Sequence, residues 1–237
     1  MVNRNILIVG ASSGIGKYLA ESLRAKGAHV FTASRHADES APSVSHLIFD
    51  AQSNDFQSFA ALPEVLHGVV YCPGTINLKP FHRLSLDDFR TDFQINVLGA
   101  VGVLQTVLPR LKRADVGTAS VVMFSTVAAQ TGMGFHASVA ASKSAVEGLT
   151  RALAAEWAAQ RIRVNAVAPS LTDTPLAKNL LSTDEKREAS NRRHPIGRFG
   201  TAADVAATAA FLLSDEAGWI TGQVFGVDGG LSTLRNV

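Results

Sequence analysis

The sequence predicts an α/β fold in which one doubly wound parallel sheet forms a single domain over residues 1–237. Two observations lead to this prediction. Short apolar runs alternate with longer segments of helical periodicity, which is typical of parallel strands joined by right-handed crossover helices. A glycine-rich turn also stands between the first apolar run and the first helical segment. The length and a hydrophobic content of 46% are sufficient for one sizeable core.

The individual elements follow from periodicity and from turn residues. Seven apolar runs are predicted strands, which cover residues 5–9, 28–33, 46–49, 66–71, 119–124, 162–167 and 223–227. Four segments are predicted helices, at 15–26, 86–111, 140–159 and 202–213. The second helix begins after Ser85, which forms a Ser-x-x-Asp capping signature with Asp88. Residues 35–45 include Pro42 and have no helical period, so the second crossover is predicted to lack a full helix.

The composition argues against several classes of protein. A net charge of +2 is too small to indicate binding to nucleic acid or to a membrane. The single cysteine, Cys72, excludes an internal disulfide and is consistent with a reducing compartment. The apolar run at 6–9 ends at Gly10 and is too short for a signal peptide. We therefore expect a cytoplasmic protein with a small-molecule substrate and without nucleic acid, membrane or metal among its partners.

The glycine-rich turn is the first candidate binding site. Its sequence, Gly-Ala-Ser-Ser-Gly-Ile-Gly, follows a predicted strand and opens a predicted helix, the setting of a Rossmann-like dinucleotide site. Glycine lets the backbone approach a pyrophosphate, and the free N–H groups of the helix start attract phosphates. The residues expected to bind the cofactor here are Gly10, Ser12, Ser13, Gly14, Ile15 and Gly16. The alternative is a tight strand–helix connection without a ligand.

The end of the second strand bears on the choice between NAD and NADP. An NAD site has a carboxylate there to bind the ribose 2′-hydroxyl, whereas an NADP site has a cation. In this sequence the strand is followed by Arg35, without a carboxylate. Because a guanidinium group is well suited to a phosphate, we predict NADP(H) as the cofactor, with Arg35 on the 2′-phosphate. A solvated surface arginine is the alternative.

A resemblance to a known family adds to this interpretation. The stretch 134–149 resembles the active-site helix of the short-chain dehydrogenase/reductase family, and similar motifs occur in order along nearly the whole chain. The sequence departs from these motifs at 71–73, where the family has Asn-Asn-Ala, and at Ser170, where it has glycine. Residues 222–230 resemble the family's closing strand, which implies a homo-oligomer, either a dimer or a tetramer. The resemblance also implies cofactor contacts at Asp50, Gly74, Lys143, Pro169, Thr172 and Thr174.

The catalytic set that the resemblance implies is incomplete. The family's catalytic tyrosine stands four residues before the lysine, and here that position is Val139, which can neither give nor take a proton. Thr126 takes the place of the active-site serine, while Asn96 and Lys143 match the asparagine and the lysine of the family's proton relay. Since loss of a general acid lowers a rate by about 10²–10⁴, some activity can survive the change.

His136 is a candidate for the missing proton donor. It lies seven residues before Lys143, so both side chains face the same way if the helix extends that far. Enoyl reductases of the same superfamily have their tyrosine at this spacing, and an imidazole exchanges a proton near neutral pH. A helix cap or a surface group is the alternative for His136.

The segment at about 175–200 corresponds to the substrate lid of the family. It has six basic and three acidic residues, a local balance of +3, which favours an anionic substrate. A solvated, mobile lid helix is the alternative. The basic residues are Lys178, Lys186, Arg187, Arg192, Arg193 and Arg198.

Three functions fit these features. The first is an NADP(H)-dependent oxidoreductase with an unusual proton donor, acting on an iminium or a conjugated alkene, for which protonation is easy. The second is an NADP(H)-binding sensor or partner subunit with little or no catalysis. The third is a non-redox lyase or isomerase that keeps the cofactor as a scaffold.

Overall fold

Nine strands form two parallel sheets in the computed structural model, which describes residues 1–36, 45–114 and 119–234. The strands are β1 (Asn5–Val9), β2 (His29–Ser34), β3 (His46–Ile48), β4 (Gly68–Tyr71), β5 (Ala119–Phe124), β6 (Ile162–Pro169), β7 (Thr172–Asp173), β8 (Gly200–Thr201) and β9 (Val224–Val227). Seven of them form the main sheet in the order β3-β2-β1-β4-β5-β6-β9, and β7 pairs with β8. The strand order changes direction between β1 and β4, where a doubly wound sheet opens a crevice for ligands.

Helices cover both faces of the main sheet. They are α1 (Gly14–Ala25), α2 (Leu86–Phe93), α3 (Gly99–Leu111), α4 (Ala137–Trp157), α5 (Asp184–Arg193) and α6 (Ala202–Leu213). Along β1, the side chains of Ile6 and Ile8 pack with residues of α1 and α6, whereas Leu7 and Val9 pack with α3 and α4. This alternation gives two apolar cores, one on each face, as a fully covered parallel sheet requires.

The predicted fold class is confirmed, and most element boundaries differ by only a few residues. The predicted start of α2 is also confirmed: the Ser85 hydroxyl accepts from the Asp88 amide at 3.1 Å, and the Asp88 carboxylate accepts from the Ser85 amide at 2.9 Å. The predicted helix at 86–111 is interrupted by a π-helical turn, Gln94–Leu98, between α2 and α3. Periodicity did not reveal this turn, because one added residue hardly changes the apolar pattern.

Two other sequence predictions have different outcomes. The short pair of β7 and β8 was missed, since two-residue strands carry no detectable alternation. The predicted absence of a helix in the second crossover concerns mainly residues 37–44, which lie outside the described residues. In the described part of the chain, no helix combines the length and the apolar character that a membrane crossing needs.

Candidate active site

The turn between β1 and α1 is shaped by glycine. Gly10 and Gly14 have φ values of +82° and +56°, in the left-handed region that favours glycine. A Cβ atom at Gly16 would collide with the carbonyl oxygen of Gly10, so only glycine lets α1 start this close to β1. The Ser13 side chain makes no capping hydrogen bond, and the first turn of α1 has no acidic residue. The N–H groups and the positive end of the helix dipole are therefore available to an anion.

A cleft of about 300 Å³ lies beside this turn and contains most of the predicted cofactor residues. Arg35 and Asp50, which follow β2 and β3, line its outer part. These features, the uncapped helix start and the glycine cradle fit a nicotinamide dinucleotide. The predicted residues that line this cleft are Gly10, Ser12, Ser13, Gly14, Ile15, Gly16, Arg35, Asp50, Gly74 and Thr174.

A second, mainly apolar cavity of about 290 Å³ continues from the cleft. Ile15, Gly74 and Thr174 line both spaces, so a ligand in the cleft can reach the cavity. The lid contributes Leu176 and Leu180 to its wall. The predicted residues that line this cavity are Ile15, Gly74, Thr126, His136, Lys143, Pro169, Thr172 and Thr174, together with Val139.

Lys143 is the charged group in the floor of the cavity. It lies on α4, is 6% exposed, and donates a 2.8 Å hydrogen bond from Nζ to the Phe124 carbonyl. Burial lowers the pKa of this ammonium group to about 8, although the nearby Cys72 and Asp92 act in the opposite direction. Lys143 can therefore lose its proton in the mildly alkaline range. A Cβ atom at Gly74 would lie 3.4 Å from Nζ, so this glycine keeps the approach to the amine open.

Asn96 lies on the π-helical turn and points towards Lys143. Its Nδ2 donates to the Thr75 hydroxyl at 3.1 Å and to the Ser142 hydroxyl at 2.9 Å. Its buried Oδ1 accepts no hydrogen bond from the described residues, and it lies near Gly74, which faces Lys143. A buried acceptor without a partner is costly, so Oδ1 is available to a ligand or a water molecule. π-Helical turns are frequent at functional sites.

Thr126 and Val139 line the same cavity, one on the turn after β5 and the other on α4. The Thr126 hydroxyl donates to the Pro169 carbonyl at 3.4 Å and accepts from the Ala128 amide at 3.3 Å. Both bonds are long, so a substrate oxygen can compete for the hydroxyl proton. The neighbouring Ser125 is buried and donates to Glu147 at 2.7 Å, which commits that hydroxyl to the core. Val139 presents an apolar side chain that is 6% exposed.

His136 lines the cavity, but it is not part of the helix. α4 begins at Ala137, so His136 is its N-cap residue, and the helix does not extend as far as the predicted role of His136 required. Its Nδ1 donates to the Gly134 carbonyl at 2.6 Å, because a carbonyl can only accept. Nε2 is consequently the nitrogen without a proton in the neutral ring.

Sequence reasoning missed a second histidine, His194, as a site residue. It follows α5, lines the same cavity, and is 3% exposed. Ser170, which sequence reasoning noted only as a departure from glycine, lies 2.8 Å from His194 between Oγ and Nε2. The two positions are 24 residues apart, and only the folded lid brings them together.

The basic residues of the lid are mostly occupied elsewhere. Arg187, Arg192 and Arg198 pair with carboxylates at 2.7, 3.3 and 2.7 Å. Lys186 donates to the Asn179 carbonyl at 2.9 Å. Of the six, Arg193 lines the cavity. Of the positive charges on the lid, the one on Arg193 therefore reaches the cavity, and the other five do not line it.

Comparison with known proteins identifies the family. A family model described as Enoyl-(Acyl carrier protein) reductase matches residues 10–232. A tropinone reductase homolog of Arabidopsis thaliana is 34% identical, and the alignment covers 96% of this chain and 92% of that protein. The chain belongs to the short-chain dehydrogenase/reductase family. A 3-oxoacyl-[acyl-carrier-protein] reductase of Thermotoga maritima is 33% identical, with 95% and 96% of the two chains covered.

Solved structures of this family share the whole fold. The aldohexose dehydrogenase of Thermoplasma acidophilum superposes with a TM-score of 0.90 at 29% identity and covers 100% of this chain and 96% of its own. A gluconate 5-dehydrogenase of Burkholderia cenocepacia, solved with NADP and tartrate, has a TM-score of 0.89 at 26% identity, with 99% and 97% covered. The chain is thus an oxidoreductase of the short-chain dehydrogenase/reductase type, a family that uses nicotinamide cofactors.

Proposed function

We propose that the protein is an NADP(H)-dependent oxidoreductase that works without the tyrosine of its family. The observation that carries this proposal is that Lys143 and Thr126 line the apolar cavity, which shares Gly74 with the glycine-rich cleft. Asn96 lies beside the same glycine, close to the lysine amine. A substrate in the cavity would meet a cation and a hydroxyl beside the place where the cofactor binds. These groups can stabilise negative charge on a substrate oxygen.

Each of these residues has a separate task in the proposed reaction. The reduced nicotinamide supplies a hydride when it is bound. Thr126 orients the substrate oxygen through its hydroxyl, and Lys143 holds positive charge close to that oxygen. Asn96 keeps an open acceptor, Oδ1, near Gly74 and the lysine. Carbonyl compounds, conjugated alkenes and iminium ions are substrates that such a site can reduce.

The preference for NADP(H) rests on Arg35. This arginine is exposed at the rim of the cleft, at the end of the strand that meets the adenosine ribose in such folds. A guanidinium group at this position binds a 2′-phosphate with two parallel hydrogen bonds. The neighbouring Ser34 donates to the His36 carbonyl at 2.7 Å, which supports the backbone from which Arg35 projects.

The substrate class and the assembly are further parts of the proposal. The apolar wall with Arg193 at one point favours a mainly apolar substrate that carries one negative group. Large exposed apolar side chains favour a homo-oligomer. They are Phe93, Leu98 and Trp219, with exposed fractions of 42%, 46% and 99%. Light scattering during gel filtration measures the oligomer directly, and a monomer at all concentrations would contradict this part.

The function is tested by binding and turnover with the same preparation. Calorimetry should give tight NADPH binding, and the absorbance of NADPH should fall with 9,10-phenanthrenequinone or 2,3-butanedione as substrate. Lys143→Met, which keeps the length of the side chain without its charge, should lower turnover by at least about tenfold. Tight binding without turnover on any carbonyl, alkene or iminium compound would instead support a cofactor-binding protein.

A further inference from the structure

Ser170 and His194 form a hydrogen-bonded pair in the wall of the cavity. Oγ of Ser170 lies 2.8 Å from Nε2 of His194, and both residues line the space that also contains Lys143 and Thr126. His194 is 3% exposed, so its ring is held by its neighbours. Thr126 donates to the carbonyl of Pro169, the residue before Ser170. The pair is therefore close to the hydroxyl that is proposed to bind the substrate oxygen.

The second nitrogen of His194 defines the tautomer. Nδ1 lies 2.7 Å from the Ser190 carbonyl, which can only accept, so Nδ1 carries a proton in every charge state. In the neutral ring Nε2 has no proton and accepts from the Ser170 hydroxyl. In the charged ring Nε2 donates to Oγ, and the Ser170 proton is free to point into the cavity. The charge state of His194 thus determines whether the proton of the Ser170 hydroxyl points to the imidazole or to a substrate.

Charged groups of both signs lie around His194. Asp228, which follows β9, interacts electrostatically with His194. Burial would raise the pKa of this carboxyl, but hydrogen bonds from Ser232 and Gly230 and the nearby His194 hold it below its usual value. Arg193 on α5 and Lys143 on α4 contribute positive charge to the same cavity, where His136 also lies. Asp228 is therefore the counter-charge for an imidazolium at this position.

We propose that Ser170 and His194 are the proton donor of this site and that its substrates are carbonyl compounds, an inference that rests on the function proposed above. The substrate carbon accepts the hydride that the nicotinamide supplies, and the C=O electron pair moves to oxygen. The Ser170 hydroxyl gives its proton to that oxygen and takes the Nε2 proton of His194. The products are an alcohol, oxidised nicotinamide and a neutral imidazole, which regains its proton from solvent through the cavity.

His136 is less suited to this task than His194. Its Nδ1 is fixed by Gly134, two residues away, and its Nε2 bonds to none of the hydroxyl groups that line the cavity among the described residues. His194 is buried and bonded to a serine where the family has glycine. A substrate oxygen that reaches Thr126 is close to the chain segment that carries Ser170, because Thr126 bonds to Pro169.

The first test measures the pair without cofactor or substrate. Nitrogen-15 NMR of the imidazole groups, recorded over a pH titration, should give only the Nδ1-protonated tautomer for His194 at high pH. Ser170→Ala should shift the Nε2 resonance of His194 and leave that of the exposed His82 unchanged. An Nε2-protonated tautomer would overturn the pairing, as would an Nε2 resonance of His194 that has the same chemical shift in the wild type and in Ser170→Ala.

The second test measures the pH dependence of reduction with NADPH and 9,10-phenanthrenequinone. Turnover should fall as pH rises and His194 loses its proton, and this limb adds to the one that Lys143, with its pKa of about 8, gives every variant. Ser170→Ala and His194→Gln should each lower turnover on the order of 10²-fold and remove this limb, and the double variant should lose little more. Ser170→Thr keeps a hydroxyl and should keep the limb, as should the control His82→Gln.

The outcomes separate this inference from the proposed function. A limb that survives in Ser170→Ala and His194→Gln but disappears in His136→Gln would overturn the relay and make His136 the donor, with the oxidoreductase function intact. Loss of turnover without loss of the limb would make the pair a structural element and overturn its role as donor. A wild-type protein that reduces an alkene or an iminium compound but no carbonyl compound would overturn the donation step and leave the oxidoreductase function intact. Turnover with none of the three classes would remove both.

Discussion

The hydroxyl group of Tyr71 donates a 2.6 Å hydrogen bond to the backbone carbonyl of Ile95. Tyr71 ends β4 at the centre of the sheet, and Ile95 lies in the π-helical turn immediately before Asn96. A Cβ atom at Gly99 would collide with this hydroxyl, so the next turn of the helix is also shaped around it. Burial raises the pKa of Tyr71, which keeps the hydroxyl protonated as a donor. The bond therefore links the sheet to the position of Asn96.

Tyr71→Phe tests this link. The variant loses one buried hydrogen bond, and we expect the free energy of unfolding to fall by about 0.5–1.5 kcal/mol, measured by urea denaturation. Turnover should fall as well, since the turn that carries Asn96 loses one of the bonds that position it. Tyr18→Phe is the matched control, because Tyr18 is 45% exposed and lies on the outer side of α1. Equal stability of the Tyr71 variant and the wild type would show that the bond contributes nothing.

Arg35→Ala tests the choice of cofactor. The wild type should bind NADPH at least tenfold more tightly than NADH, which corresponds to about 1.4 kcal/mol. The variant should lose most of this difference through weaker NADPH binding, with NADH affinity little changed. Titration calorimetry measures both constants. Lys178→Ala is a suitable control for a loss of positive charge, as Lys178 lines neither cavity. Equal affinities for NADPH and NADH in the wild type would contradict the assignment.

Val139→Tyr tests whether the family's proton donor can be restored. A phenol at this position on α4 would stand one helical turn before Lys143, and reduction of quinones and diketones should rise on the order of tenfold or more. Val139→Phe adds nearly the same volume without the hydroxyl and should not raise activity. An increase in both variants would point to packing as the cause. An inert but folded and NADPH-binding Val139→Tyr would show that the pocket has diverged at further positions.

Cys72 provides a prediction about pH. Burial raises the pKa of its thiol to about 12, and the nearby Lys143 acts in the opposite direction. Near pH 8 the folded protein should contain on the order of 10³-fold less thiolate than the unfolded chain, and it should react with a disulfide reagent correspondingly slowly. As pH rises above 9, the unfolded state ionises first, so this thiol should lower stability between pH 9 and 12. Equal labelling rates with and without urea would contradict this account.

The fold and the cofactor cleft were largely predictable from the sequence, because their signals are local. The apolar period of β1, the glycine spacing from Gly10 to Gly16, and the caps at Ser85 all act within a few residues. The family motifs singled out Asn96, Thr126 and Lys143, and in the structure Thr126 and Lys143 line one cavity while Asn96 lies near the lysine beside Gly74.

The features that the sequence did not predict depend on distant partners or on single residues. The bond from Ser170 to His194 joins a loop after β6 to the end of α5, and no periodic pattern links the two. The departure from glycine singled out Ser170, but it did not indicate that a histidine would contact this residue in the fold. The spacing of His136 from Lys143 was meaningful only if the helix included His136, and α4 starts one residue later. The π-helical turn is bonded through the Ile95 carbonyl to the hydroxyl of Tyr71, which lies 24 residues earlier in the chain.

The short pairing of β7 with β8 joins the two ends of the lid. Thr172 lies opposite Gly200, and Asp173 lies opposite Thr201, so the intervening segment begins and ends at one place. His194 belongs to this segment, whereas Ser170 precedes β7 and lies outside it. The hydrogen bond between them is therefore a contact of the lid with the chain that leads into it, and any change in the position of the lid relative to β6 would alter the wall of the cavity.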